Sequence, residues 1–387
     1  MSVTALVEPV APRRILFISN GHGEDSIAAA IVSHLPANFR AEAYPTLGSG
    51  GAYAGICPVV GPRAVLPSEG WRNVKGSLGR DIGSGGLGTV WPGLQFMRRV
   101  HKLYDHIVVV GDLVGVAGCL VSGARNITYL DVYKTGFGRP YSAVERWLIK
   151  RTAQAVFCRS DALAQPLREA GIDARCAGNV MMDAIPHGEY DAQSRRGRDR
   201  AITLLPGSRH LVGESFGMQI AALRRLDPDV LPDIFLAVAG SVSPMLLADA
   251  AGLRLVGPMT GEAGDLGTLS DGVITVHMAR GAIGNLLDAS DLVLSQAGTA
   301  TIQSLGLGKP AITFINPRDR GSRVRDENAL FGEARVVVEP DPGRIAATLQ
   351  KLLTDDAERA RLSAIGRERI GGPGAMAAIV ASIAGEA

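Results

Sequence analysis

A glycine-rich turn and a small-residue turn hold the residue types best suited to chemistry. The first, Asn20-Gly21-His22-Gly23-Glu24-Asp25, follows the apolar run Arg14–Ile18 and precedes a helical stretch from about Ser26 to Leu35. Gly21 and Gly23 permit a tight turn, and the helix beyond offers the positive end of its dipole. His22 can act there as a general base or as a donor to a sugar or phosphate; the alternative is a turn histidine bonded to backbone. The second turn, Ser295-Gln296-Ala297-Gly298-Thr299, joins a short strand (Asp291–Leu294) to another helix. Its small residues leave backbone N–H groups and hydroxyls open to a phosphate, which suits the pyrophosphate of a nucleotide sugar. The alternative is an ordinary strand-to-helix turn.

Two further positions belong with these. Asp112 follows Val108-Val109-Val110-Gly111 at a strand end. A carboxylate there can accept the proton of an acceptor hydroxyl, or it can cap the helix that follows. Pro206-Gly207-Ser208-Arg209, with Glu214 beyond it, ends the strand Ala201–Leu205. Gly207 and Ser208 can offer N–H groups and Arg209 can pair bidentately with a diphosphate, unless it is a structural loop arginine.

Dinucleotide binding is disfavoured. The first turn matches G-x-G-x-x-G only with Ser26 in the third place, and Glu42 stands near the start of the second strand rather than its end. Gly83–Gly88 fits the spacing, but no apolar strand precedes it. The histidines, His101 and His106 included, are not grouped at metal-ligand spacings, so no bound metal is expected.

The elements that must hold these residues alternate. Strands are expected at Arg14–Ile18, Ala41–Tyr44, Ile107–Val110, Asn126–Leu130 and Ala155–Cys158. After a polar stretch the pattern restarts with Ala201–Leu205, Ile234–Ala239, Val273–Val276, Asp291–Leu294 and Ala311–Ile315. Helices between parallel strands imply two doubly wound α/β domains. The expected division is 1–185, a linker at 186–200, 201–372, and a closing helix at 373–387 that returns to the first domain.

A chain of 387 residues with 46% apolar and 20% charged residues suits two globular domains, and a net charge of +2 does not argue for nucleic acid. Cys57, Cys119, Cys158 and Cys176 are scattered, as expected of free thiols in a reducing compartment. No signal peptide is visible in Met1–Arg14, and Ile107–Ala124 reads as strand, turn and helix rather than a membrane span. Ser68–Lys102 mixes Trp71 and Trp91 with Arg72, Lys75, Arg98 and Arg99. Such a mixture suits the headgroup boundary of an anionic membrane; a loop and a core-facing helix with a basic outer side is the alternative.

Leu204–Arg209 with Glu214, Gly178–Asp183, and Ala297–Ala300 followed by Gln303 resemble the lipid-A-disaccharide synthase family. The Asn-Gly-His-Gly-Glu-Asp turn is similar to that of its "related" branch, and the resemblance covers nearly the whole chain. It implies a GT-B fold, in which two Rossmann-like domains face a central cleft. It also implies a UDP-sugar-dependent hexosyltransferase: inverting, metal-independent, without cofactor, and working at the cytoplasmic membrane face. The donor set is then Gly207, Ser208, Arg209, Glu214, Ala279, Arg280, Gln296, Gly298, Thr299, Ala300 and Gln303. The acceptor, a lipid or lipid-linked sugar, falls to Asn20, Gly21, Gly23, Glu24 and Asp25, with Asp112 and His22 as candidate bases and Trp71, Arg72, Lys75 and Trp91 toward the membrane.

Two departures stand out. Gln303 replaces the acidic residue expected to hold the donor ribose, and the synthase's Gly-Glu-x-Ser-Gly-Asp turn is absent. A UDP-sugar 2-epimerase of the same fold and a non-catalytic homologue are the competing readings.

Overall fold

The computed structural model describes residues 12–63, 90–134, 136–137, 140–207, 211–258, 261–315 and 321–385. The chain divides into two compact units, Met1–Val180 with Gly374–Ala387, and Met181–Pro373.

The first unit is built on β1 (Arg13–Ser19), α1 (His22–Ser33), β2 (Phe39–Pro45), α2 (Val90–Val100), β3 (His106–Gly111), α3 (Leu113–Ser122), β4 (Ile127–Asp131), α4 (Ala143–Thr152), β5 (Ala153–Cys158), α5 (Asp161–Glu169) and β6 (Ala174–Arg175). Its six strands run in the order β2-β1-β3-β4-β5-β6, all parallel. Ile15 to Ile18 and Ile107 to Val110 are buried without alternation, as expected of parallel strands covered on both faces. The register sets Ser19 beside Val110 and Gly111 beside Asp131, so those strand ends are level.

The second unit begins within the short α6 (Val180–Asp183). It continues through β7 (Ala201–Leu205), α7 (Val212–Leu223), β8 (Asp233–Ala237), α8 (Pro244–Ala251), β9 (Arg254–Val256), β10 (Asp265–Ser270), β11 (Thr275–Ala279) and α9 (Ile283–Asp288). Then come β12 (Leu292–Ser295), α10 (Thr299–Gly306), β13 (Ala311–Phe314), α11 (Gly321–Phe331), β14 (Arg335–Val338), α12 (Pro342–Thr354) and α13 (Asp356–Ile370). The strand order is β14-β13-β12-β7-β8-β11-β10-β9, with β10 antiparallel to both its neighbours.

The hairpin β10–β11 moves the strand expected at Val273–Val276 to Thr275–Ala279. Asp271 turns the chain, its Oδ1 accepting from the Val273 and Ile274 N–H groups, with Gly272 at φ 90°.

Residues 186–200, expected as a linker, belong to the second unit. Tyr190 and Ala192 are buried there. The Arg195 guanidinium lies 4.2 Å from the Tyr190 ring centroid and pairs with Glu262 at 3.0 Å and Asp265 at 3.2 Å. Its polar composition hid one aromatic anchor. The last helix, α14 (Ala375–Ala384), falls in the first unit, where Arg13 Nη1 donates to Ala384 O at 3.0 Å.

Candidate functional sites

In the first unit the strand order reverses between β1 and β3, the place where open α/β sheets bind ligands beyond their carboxyl ends. Three buried groups brace the turn after β1. Ser19 Oγ donates to Asp25 Oδ1 at 2.6 Å, so the Tyr53 hydroxyl, 2.7 Å away, must donate to Ser19. Asp25 is 1% exposed and holds the turn from beneath. Gly21 precedes the first turn of α1, and Gly23 and Glu24 lie within that turn. The His22 side chain lies outside the described positions.

Asn20 and Asp112 meet across the switch point. Asn20 Nδ2 donates to Asp112 Oδ1 at 2.7 Å, and the same oxygen accepts the Val114 N–H at 2.9 Å. Asp112 is therefore the N-cap of α3 and a neighbour of Asn20 at once. Gly111 makes the approach possible: its φ is 139°, and a Cβ there would sit 2.2 Å from Asn20 Oδ1.

Asp112 also lines a cavity of about 320 Å³ with Val114, Asp131, Tyr133, Lys134 and Glu145. Asp131, 1% exposed, accepts the Tyr133 and Lys134 N–H groups at 3.0 and 2.9 Å and the Tyr141 hydroxyl. Burial outweighs these bonds and raises its pKa above the usual carboxylate value. Burial also raises Glu145, but the Ser142 N–H at 2.7 Å and the Lys134 ammonium at 3.2 Å prevail and hold it below its usual value. Sequence reasoning missed Asp131, Lys134 and Glu145. The signal for Asp131 was present, because it ends β4 as Asp112 follows β3.

In the second unit the order reverses between β7 and β12. Gly207, at φ 98°, leaves β7, and Gln296 N donates to Leu205 O at 2.7 Å. Hydroxyls lock the turn after β12. Thr301 Oγ1 gives its proton to Ala297 O at 2.6 Å, so Ser295 Oγ donates to Thr301 at 2.6 Å and accepts the Ala297 N–H at 3.2 Å. Gly298 is the N-cap of α10 and no side chain caps it. The N–H groups of Thr299 and Ala300 thus open the helix without a side-chain acceptor, an arrangement that accepts an anion. Gln296 Nε2 is buried with no partner among the described residues.

The other expected donor residues lie on α7, α10 and the end of β11. Glu214 is exposed on the first turn of α7. Ala279 ends β11, where its carbonyl accepts Val238 N at 2.9 Å, and Arg280 Nη2 donates to Val242 O at 2.6 Å. Gln303 is 6% exposed and its Nε2 donates to Met181 O at 3.1 Å. Through this bond Gln303 ties α10 to the start of the unit. Ser208 and Arg209 lie outside the described residues, as do Trp71, Arg72, Lys75 and Gly83–Gly88. Trp91 is 57% exposed on α2. Among the described residues no group of three or more His, Cys, Asp or Glu is placed to hold a metal ion, and no helix is long and apolar enough to cross a membrane.

No family model and no curated protein matches the chain. Solved structures do. The Staphylococcus aureus MnaA–UDP co-structure is similar with TM-score 0.60 at 15% identity, over 96% of each chain. A putative UDP-N-acetylglucosamine 2-epimerase from Listeria monocytogenes is similar with TM-score 0.59 at 15% identity, over 97% of this chain and 96% of that one. A UDP-glucosyltransferase from Polygonum tinctorium capable of glucosylating indoxyl gives TM-score 0.60 at 12% identity, over 97% and 99%. These likenesses, with the two parallel-dominant sheets, establish the architecture: the chain has the two-domain, Rossmann-like GT-B fold.

Proposed function

We propose that the protein is a UDP-sugar-using enzyme that transfers a hexosyl group to a hydroxyl of a membrane lipid or lipid-linked acceptor, with inversion and without metal, at the cytoplasmic membrane face. The observation that carries this reading is the cavity beside Asp112, at the switch point of the first unit. The uncapped start of α10, at the switch point of the second, supports it. The acceptor oxygen attacks the anomeric carbon as the bond from that carbon to the diphosphate oxygen breaks. The electron pair leaves with UDP and the hydroxyl proton passes to Asp112, with His22 the second candidate. Asn20 orients the Asp112 carboxylate, and the open N–H groups of α10 stabilise charge on the departing diphosphate.

A UDP-sugar 2-epimerase is the second reading, favoured by the likeness to the Listeria protein and by three carboxylates, Asp112, Asp131 and Glu145, around one cavity. The two readings separate by product. Incubation with a panel of UDP-sugars, with and without a total lipid extract, followed by mass spectrometry and NMR, should yield free UDP and a new glycolipid only when lipid is present. An epimerised UDP-sugar formed without lipid would decide for the second reading.

A further inference from the structure

Helix α3, Leu113–Ser122, carries no charged side chain, and its single hydroxyl, Ser122, is buried and donates to Cys119 O. A helix apolar all round is normally enclosed. Here one side is open: Val114 is 62% and Val121 54% exposed, and a Cβ at Gly118 between them would meet nothing within 4 Å. Helix α3 packs against both α2 and α4, and each carries exposed apolar side chains of its own, Trp91 on α2 and Val144 and Trp147 on α4.

Among the described residues, the exposed charges on α2 and α4 are basic. Exposed Arg98 and Arg99 lie on α2, with the Arg98 guanidinium 6.0 Å from the Trp91 ring centroid, and exposed Lys150 and Arg151 lie on α4. Helices α2 and α3 contain no acid, and the one acid of α4, Glu145, is held by Lys134 and Ser142. Tryptophan and arginine around an aliphatic surface suit an anionic headgroup boundary. A second copy of the chain would bring these cations against their own kind, which opposes self-association through a two-fold interface.

We propose that the α2–α3–α4 face docks on an anionic lipid bilayer, with Val121, Val144 and Trp147 entering the headgroup boundary. Val114 belongs both to this face and to the cavity beside Asp112, so a lipid headgroup reaches that cavity from the bilayer. This second step rests on the lipid-acceptor reading; the docking itself does not.

The test is flotation of the full chain with vesicles of phosphatidylcholine, alone or mixed with phosphatidylglycerol. Wild type should float with the anionic vesicles and lose binding as salt rises. Val121→Asp/Val144→Asp, or Trp147→Ala, should weaken partition about tenfold, and Arg98→Gln or Arg151→Gln about fivefold each. In a Trp71→Phe/Trp91→Phe background, brominated lipid should quench the remaining Trp147. Absence of flotation, or flotation indifferent to these substitutions, overturns the proposal. A dimer in solution that Val144→Asp dissociates, without vesicle binding, does so too. UDP binding is measured on the same samples: if wild type floats but binds no UDP, the transferase reading falls and the docking stands.

Discussion

The Asn20–Asp112 pair is the residue-scale feature on which the catalytic reading turns, and its two duties separate experimentally. Asparagine caps helices about as well as aspartate. Asp112→Asn should therefore fold with near-normal stability and lose activity by about 10²–10⁴-fold, the usual cost of a missing general base. Thermal melts and initial rates on the same sample check this; equal loss of both would make Asp112 a cap alone. Gly111→Ala should do the reverse in part, costing roughly 1–3 kcal/mol because an alanine at φ 139° is strained and displaces Asn20. His106 gives a pH signature. Burial foremost, with the charge of Arg13, lowers its pKa to about 4, and Nε2 lies 2.8 Å from Thr128 Oγ1. The unfolded chain takes up a proton near pH 6.5 and the folded one does not, so stability is full above 6.5 and falls as pH drops toward 4. The change is about 3 kcal/mol, and His106→Gln should flatten it in denaturant titrations run across that range.

At the scale of elements, the turns after β1, β3 and β12 do the positioning, and the helices behind them hold the turns still. Helix α10 owes its place partly to α13, whose Gly366 would set a Cβ 2.6 Å from Leu305 O. Backbone cannot yield as a side chain does, so Gly366→Ala should overpack this contact and cost roughly 1–3 kcal/mol. Far-UV circular dichroism with denaturant measures it, and an unchanged midpoint would mean the helices separate freely. Strand, turn and helix alternation was legible along most of the chain, because side-chain period and turn residues are local properties. The hairpin β10–β11 was not, because Asp271-Gly272 reads like any loop until the antiparallel partner is known. The segment around Tyr190 was misread for a similar reason. Its polarity is local, while the pocket that takes the tyrosine is made by residues from elsewhere in the second unit.

At the scale of the molecule, the chain passes from the first unit to the second and returns, so α14 completes a unit whose other elements precede residue 181. Met376, Ile379 and Ile383 are buried there. At about 1.5–3 kcal/mol for each large apolar side chain enclosed, removing residues 374–387 should cost the first unit roughly 4 kcal/mol or more. Trp71, Trp91 and Trp147 all lie before residue 181, so tryptophan fluorescence follows that unit alone. The truncated chain should lose its fluorescence-detected transition at lower denaturant and keep UDP binding by the second unit. Coincident loss of both signals would show that the units do not unfold separately.

The sequence by itself determined the doubly wound architecture and the strand-end turns on which the candidate sites lie. Apolar strands followed by Gly, Ser, Thr and Asp turns identify strand ends without reference to anything distant. Only the tertiary structure decided which ends become neighbours. Asn20 and Asp112, 92 positions apart, meet because β1 and β3 pair with β2 displaced to the edge. Asp131 and Glu145 join them because β4 comes next and α4 returns beside it. Gln303 turned inward and α3 outward for the same reason. Composition sets what a side chain prefers, but burial depends on what the sheet and the neighbouring helices leave uncovered.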